Sequence, residues 1–497
     1  MKYTCKVSSL QDLEVDTAVL FVESFAKLED TSLKQIDGST GNALTTLLNT
    51  GEFSGQDGET VVLYQPSGFA SRRLVLTGIG TRTKVDHDSY RRAMGRASRL
   101  KAVLKSGKLG IYFGRMSNSS YFQAAIEGYV LGSYKLKRFK TGQESEPASR
   151  VDEVICGVGT RAQLRKLERA VSRAAIIADG QSLVRQLAET PSNELTPAIY
   201  ARKAQELARQ YHVRCRVLDE KAIAQEKMGA LLAVAKGSQE PPRFIILEYK
   251  GGPSGQQPIV LIGKGVTFDS GGISIKQAAN MHEMKQDMAG SAVVLVTLLT
   301  ASRLGIKRNL VGLIPTAENM PSGSATRPGD IVVSRKGKTI EIINTDAEGR
   351  LLLADALDYA NKFKPQAVID IATLTGGCLY VLGYAGSPII GNNSRLLDQL
   401  RAASKATAER VWELPIWDDH RDQMKSSIAD LVNSGGKPAS TIAAAAFLEN
   451  FIGDWPWAHI DIAYTDSEPK GKPYTPKGPT GFGLRLLVET VSNWKKV

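Results

Sequence analysis

Two stretches of this chain place charged residues and glycines beside apolar runs, where packing alone would choose neither. The first, Gly263-Lys264-Gly265-Val266-Thr267-Phe268-Asp269-Ser270-Gly271-Gly272-Ile273-Ser274-Ile275-Lys276, follows the apolar run Ile259–Ile262. Its glycines let the backbone turn sharply and come close to a ligand. A phosphate cradle and a plain turn are the other readings of such a loop. The phosphate reading fails on spacing, because Pro258 stands where a P-loop needs glycine and Gly265 where it needs Ser or Thr. Gly78-Ile79-Gly80 likewise lacks the third glycine of a dinucleotide fingerprint, since position 83 is Thr83.

The second stretch, Asn344-Thr345-Asp346-Ala347-Glu348-Gly349-Arg350, precedes a helical pattern running from Leu351 to near Lys362. In an extended chain Asp346, Glu348 and Arg350 fall on one face by the two-residue period. A helix start rich in acids, favoured by the helix dipole, is the alternative. Asp287 lies apart, in a segment where Met281, Met284 and Met288 form a stripe whose ordinary meaning is core.

These segments resemble the cytosolic leucine aminopeptidase family. The resemblance rests on Asn344 to Leu351, on Gly263 to Lys276 and on Met284-Lys285-Gln286-Asp287-Met288. Weaker agreement runs through Asp370-Ile371-Ala372-Thr373-Leu374-Thr375-Gly376 and Trp457-Ala458-His459-Ile460-Asp461-Ile462-Ala463. Essentially all of the second domain is covered, whereas the first contributes Glu127-Gly128-Tyr129-Val130-Leu131-Gly132 as its best local match.

Carried over position by position, the resemblance implies a two-metal centre held by Lys264, Asp269, Asp287, Asp346 and Glu348. Asp269 and Glu348 would bridge both ions, with Lys264 and Asp287 on the more loosely held one. Lys276 and Arg350 would be the catalytic pair, Arg350 holding a bicarbonate. Substrate contacts would come from Lys276, Asp287, Met284, Thr373, Leu374 and Gly376. The implied activity is release of N-terminal residues from peptides, Leu preferred with broad tolerance, by a homohexamer of two stacked trimers.

The physical case stands beside that resemblance. Four carboxylates in one pocket repel one another unless cations balance them, and two divalent ions would do so. Oxygen-rich ligands suit manganese or zinc, with magnesium and cobalt also acceptable. Two such ions about 3.5–4 Å apart can turn a bridging water into a hydroxide nucleophile. Lysine can join the ligands only after losing its proton. None of the five histidines lies in a His-Glu-x-x-His pattern, which excludes the mononuclear zinc protease.

The elements that must position these groups read as α/β throughout. A chain of 497 residues exceeds one ordinary core. The pattern divides it into a smaller N-terminal α/β domain over 1–160, a linking helix over 161–190 and a larger catalytic domain over 191–497, with a mixed, mostly parallel sheet. Expected strands are Ala18–Val22, Thr60–Tyr64, Arg73–Thr77, Gly110–Phe113 and Glu153–Gly157, then Arg214–Leu218, Phe244–Tyr249, Ile259–Gly263, Asn309–Ile314 and Ala367–Ile371. Expected helices include Tyr90–Leu104, Tyr121–Tyr134 and one starting at Thr196-Pro197, and Thr141–Arg150 reads as a loop.

The net charge of +12 is concentrated in Arg72–Lys140, which holds sixteen Lys and Arg against three acids. Arg92, Arg96 and Arg99 on one helical face, with Lys135, Lys137, Arg138 and Lys140, raise a second function, nucleic-acid binding. A solvated basic surface is the plainer reading, because few aromatics interleave to stack bases. The N-terminus lacks an export signal, and the longest apolar run, around Ala292–Leu299, is too short to span a bilayer, so a cytoplasmic protein off the membrane is expected. Cys5, Cys156, Cys215 and Cys378 are scattered and read as reduced thiols.

Overall fold

Short runs of β-branched residues bounded by Gly, Pro and Asp become strands in the first half of the chain. They are β1 (Lys2–Val7), β2 (Thr17–Glu23), β3 (Thr60–Tyr64), β4 (Arg73–Gly80), β5 (Lys108–Tyr112) and β6 (Glu153–Val158). The computed structural model describes residues 1–25, 28, 31–114, 116, 118–135, 139, 141 and 150–497. Most of the expected loop Thr141–Arg150, and the basic residues Lys137, Arg138 and Lys140, therefore lie outside the described residues.

The six strands form one sheet in the order β1-β6-β5-β2-β4-β3, parallel except at the β3–β4 edge. Strand β1 was not expected, although Lys2, Thr4 and Lys6 alternate with Tyr3, Cys5 and Val7; it pairs in parallel with β6. The single helix expected over Tyr90–Leu104 is two, His87–Ala97 and Lys101–Leu104. Gly95 and Ser98, poor helix formers, sit at the break, and the Ser98 hydroxyl donates to the Gly95 carbonyl at 2.7 Å.

The Glu127-to-Gly132 motif has a packing explanation. A Cβ at Gly128 would lie 2.3 Å from the Arg91 carbonyl oxygen, and one at Gly132 would lie 2.7 Å from that of Gly95. Helix Ser119–Gly132 can therefore approach helix His87–Ala97 only through glycines, and a buried Arg91–Glu127 ion pair at 2.8 Å locks the crossing. The basic face of the same helix is largely used up internally. Arg92 meets Asp88 at 2.6 Å and Asp57 at 2.9 Å, Arg96 meets Asp57 at 2.7 Å, and Arg99 donates to the carbonyls of Gly132 and Lys472.

The chain divides into two units, Met1–Asp179 with Lys470–Pro476, and Gly180–Pro469 with Lys477–Val497. The division falls inside one continuous helix, Arg161–Glu189. Lys470–Pro476, which the sequence pattern assigns to the second domain, joins the first unit, where the Tyr474 hydroxyl donates to Asp88 at 2.8 Å.

Strands of the second unit are β7 (Arg214–Leu218), β8 (Arg243–Lys250), β9 (Ile259–Gly263), β10 (Gly265–Asp269), β11 (Asn309–Asn319), β12 (Ile331–Val333), β13 (Thr339–Glu341), β14 (Ala367–Ala372), β15 (Ser387–Gly391), β16 (Val411–Glu413), β17 (Leu431–Val432), β18 (Trp457–Asp461), β19 (Ser467–Glu468) and β20 (Gly478–Pro479). Nine of them make a mixed sheet in the order β16-β15-β18-β14-β9-β11-β8-β7, with β10 paired to β11 beside that path. Its centre, β18-β14-β9-β11, is parallel; β8 and β15 run against their inner neighbours.

Every residue of β9 and β14 is buried, as expected of a parallel core whose two faces are both covered. Helix Ala289–Leu304 covers part of it and is itself buried from Ala289 through Ala301. Together with the turn before it, the segment Met281–Leu304 is long and apolar enough to cross a membrane by composition, but 83% of its apolar window is buried inside the protein. The C-terminal ends of parallel strands are the usual place for a site in such folds.

Candidate metal centre

The charged groups singled out in the sequence meet at those strand ends. Lys264 occupies the step between β9 and β10, and Asp269 ends β10. Asp287 follows the 3-10 turn Met281–Gln286 and directly precedes the core helix. Asp346 lies in a turn, Glu348 takes the N-cap position of helix Gly349–Ala360, and Arg350 is in that helix's first turn. Residues 346–350 thus form a turn leading into a helix rather than the extended run of alternating side chains.

Oxygens of Asp269, Asp346 and Glu348 lie within 4.8 Å of one another. Two ammonium groups interleave with the acids. Lys264 Nζ contacts Asp287 and Glu348, each at 2.8 Å, and donates to the Thr373 carbonyl at 2.9 Å. Lys276 Nζ contacts Asp269 at 2.8 Å and Asp346 at 2.5 Å. The seven expected metal-ligating and catalytic residues do not all touch: Arg350 stands aside, donating to the Asn433 carbonyl at 2.8 Å, with its Nε buried and unpartnered.

Two glycines make the arrangement possible. Gly271 has a φ of 88°, in the left-handed region, and a Cβ there would sit 3.0 Å from Asp346 Oδ1. A Cβ at Gly349 would sit 2.5 Å from Lys264 Cε, so the lysine stem passes where only hydrogen fits.

Burial and mutual repulsion decide the electrostatics. Burial, with Asp269 and Glu348 nearby, pushes the Asp346 carboxyl up to about 6, and burial holds Asp287 well above the usual carboxylate range despite Lys264. For Lys264 and Lys276 burial opposes the charge, but the surrounding acids outweigh it and hold both ammonium groups above their ordinary values. Burial pushes the Arg350 guanidinium down to about 10, against the pull of Glu348 and Asp461. Glu348 Oε2 is buried without a hydrogen-bond donor. An orphaned carboxylate oxygen is costly, and Glu348 belongs with Asp269 and Asp346 to a cluster of hard oxygen donors, so the residues present fit divalent cations.

Beyond Lys276 and Asp287, Thr373 is the one of the expected substrate residues that the described contacts join to this cluster. The Thr373 hydroxyl donates to Asp287 Oδ1 at 2.7 Å, and Met284 is half-buried in the turn before Asp287. Leu374 donates its N–H to Asp461 at 3.0 Å, while Gly376 is exposed.

Four supporting residues were not foreseen. Asn319, registered opposite Asp269 across β10–β11, donates from Nδ2 to Asp269 Oδ1 at 2.8 Å and to the Thr345 carbonyl at 3.0 Å. The Thr345 hydroxyl donates to the Gly271 carbonyl at 2.6 Å and so ties the two acidic loops together. Asn433 accepts from the Ile343 N–H at 2.8 Å, and Asp461 accepts from the Thr375 hydroxyl at 2.7 Å. Thr345, inside Asn344–Leu351, and Asp461, inside Trp457–Ala463, stood in segments that carried the resemblance, whereas Asn319 and Asn433 left no signal in the sequence.

Comparison with known proteins decides the family. The catalytic-domain model of the cytosol aminopeptidase family matches residues 182–488, and its N-terminal-domain model matches residues 19–143. The chain belongs to the cytosol aminopeptidase family. Its relatives include a probable cytosol aminopeptidase of Geotalea uraniireducens, 44% identical over 93% of each chain. Another, from Syntrophotalea carbinolica, is 41% identical over 97% of this chain and 98% of its own. Among solved structures, a tomato leucine aminopeptidase mutant superposes with a TM-score of 0.88 at 29% identity, covering 99% of this chain and 97% of its own. The bottromycin maturation enzyme BotP in complex with Mn gives 0.84 at 32% identity, over 96% and 99%. The family assignment makes this a metal-dependent aminopeptidase of two α/β domains, and the N-terminal match extends to the first domain a resemblance that sequence reading carried mainly on the second.

Proposed function

We propose that this aminopeptidase holds two divalent ions through Lys264, Asp269, Asp287, Asp346 and Glu348, and releases Leu and other apolar residues from peptide N-termini. The convergence of Asp269, Asp346 and Glu348 oxygens within 4.8 Å carries the reading. Such ions, when bound, supply Lewis acidity and lower the pKa of a water that attacks the scissile carbonyl.

The chain's own residues do the rest. Asp287, fixed by the Thr373 hydroxyl, accepts a hydrogen bond from the substrate's free α-amino group, which restricts cleavage to the first residue. Lys264 contributes its lone pair only as a neutral amine, so it must release the proton that Asp287 and Glu348 favour. Lys276, less buried than Lys264, turns from Asp269 and Asp346 toward the carbonyl oxygen and stabilises the negative charge that develops there. Arg350, anchored by Asn433 with Nε free, presents a planar fork that suits bicarbonate, which would relay a proton to the leaving amine.

The first-residue pocket is assigned to Met284, Leu374 and Gly376, as the resemblance implies; an apolar pocket separates neighbouring apolar side chains by only about 1–3 kcal/mol, so tolerance is broad. Manganese and zinc are the favoured metals, the manganese-bound BotP structure supporting the first. A cytoplasmic homohexamer goes with this reading, and the naming of relatives as cytosol aminopeptidases supports the location. Nucleic-acid binding gains no support, since Arg92 and Arg96 are already paired with acids.

The test is to strip the protein with a chelator, verify metal removal, and restore manganese or zinc while following leucine p-nitroanilide and its N-acetylated counterpart. Activity should vanish, return with the ion, and be confined to the free amine. Full activity in verified metal-free protein, or equal cleavage of the acetylated substrate, would overturn the reading.

A further inference from the structure

Cys5 and Cys156 are far apart in sequence and meet in the sheet of the first unit. In the parallel β1–β6 pairing Cys5 stands opposite Cys156. Registered neighbours on parallel strands point to the same face of the sheet. Both cysteines accordingly pack against one core cluster, Cys156 within it and Cys5 at its margin, together with Leu164 and Leu167.

Cys156 is buried, whereas Cys5 is half-buried on β1, which among the described residues is an edge strand paired on one side. Adjacent strands lie about 4.8 Å apart, within the range of about 4.4–6.8 Å between Cα atoms that a disulfide spans. An edge strand can draw in slightly on its single neighbour to complete the bond.

We propose that Cys5 and Cys156 form a reversible disulfide when the protein meets a hydroperoxide, a modification that ties the N-terminal strand covalently to β6. Cys5, the more accessible sulfur, attacks a peroxide oxygen as thiolate; the O–O bond breaks, leaving a sulfenic acid on Cys5 and, with hydrogen peroxide, one water. The Cys156 sulfur then attacks the Cys5 sulfur, the S–O bond breaks, and hydroxide leaves with the Cys156 proton as a second water. Two thiols are oxidised by two electrons in all, and one peroxide is reduced. A dithiol reductant reverses the step by thiol–disulfide exchange.

The chemistry of the two sulfurs is matched to these roles. The neighbouring Cys156 holds the Cys5 thiol below its ordinary value, against the effects of burial and Glu168. The neighbouring Cys5, with burial, raises Cys156. Cys215 makes an internal control: it is also half-buried, but it stands opposite Leu247, and burial pushes its thiol up to about 11.

The full chain would be treated with a small excess of hydrogen peroxide at neutral pH, alkylated with iodoacetamide, digested and read by mass spectrometry. A linked peptide pair carrying Cys5 and Cys156, lighter by two hydrogens than the reduced peptides, should form before Cys215 is oxidised and vanish with dithiothreitol. In Cys156→Ser, dimedone should trap a sulfenic acid on Cys5 in place of the link. Should that buried replacement fail to fold, Cys5→Ser on the edge strand should abolish the link and leave Cys156 reduced. Oxidation of Cys5 to sulfinic acid while Cys156 stays a free thiol in the unsubstituted protein, or oxidation of Cys215 ahead of both, would overturn the proposal.

Discussion

Replacing Gly349 by Ala puts a methyl group in the path of the Lys264 side chain. The new Cβ would lie 2.5 Å from Lys264 Cε, 2.7 Å from Nζ and 2.8 Å from Cδ. Non-bonded atoms settle at about 3.5–4.0 Å, so the lysine must give way by about 1 Å. Its ammonium is held at 2.8 Å by both Asp287 and Glu348 and at 2.9 Å by the Thr373 carbonyl, and such a shift breaks at least one of these contacts. A misplacement of about 1 Å in a catalytic site costs about 10²-fold in rate. The helix itself does not suffer, since Ala is a better helix former than Gly by up to about 1 kcal/mol. The expected outcome for Gly349→Ala is a fall of about 10²-fold in kcat/KM on leucine p-nitroanilide and weaker metal retention, with a melting temperature close to that of the wild type. Activity within about threefold of wild type, at equal metal content, would refute the view that Lys264 must sit where it does.

Lys276→Ala should keep the metals but lower kcat by about 10²-fold or more, because it removes a cation aimed at developing charge; metal analysis and turnover on the same samples check this. Asn319→Ala deprives Asp269 and the Thr345 carbonyl of their shared donor, and metal affinity measured by equilibrium dialysis should drop by about 10–100-fold. Asp355 accepts from the N–H groups of Leu231 at 2.9 Å and Arg335 at 2.7 Å, yet burial pushes its carboxyl up to about 7. Because that value exceeds the unfolded one of about 3.9, the native state binds the extra proton and stability falls as pH rises between about 4 and 7. Urea midpoints across that range should fall less steeply in Asp355→Asn, and parallel curves would show that Asp355 does not titrate there.

Local sequence carries ten of the strands, β2–β9, β11 and β14, with the α/β class and the acidic loops, because apolar periodicity and glycine placement are local properties; β15 and β18 of the large sheet were not among them. Lys264 and Asp269 could be picked out because they interrupt an apolar strand and glycine run. Asn319 and Asn433 could not, since their roles arise from long-range neighbours: β11 beside β10, and the loop after β17 beside the turn before Gly349; Thr345 stood inside Asn344–Leu351, but its bond to the Gly271 carbonyl is long-range too. Strand β10 was missed because it lies inside the glycine-bearing stretch Gly263–Lys276, which reads as a loop although Val266 and Phe268 alternate with Thr267 and Asp269. Arg92 and Arg96 show the converse, a basic helical stripe that looks free in sequence and is paired in space, Asp57 alone meeting both.

Metal stoichiometry bears most directly on the proposed centre. Purified wild-type protein and Glu348→Ala, each dialysed against the same free manganese, should be assayed for bound ion and for leucine p-nitroanilide turnover. Two ions per chain in the wild type, and loss of both tight binding and turnover in the variant, are expected. Two ions retained by Glu348→Ala with undiminished turnover would contradict a dinuclear site built on that carboxylate.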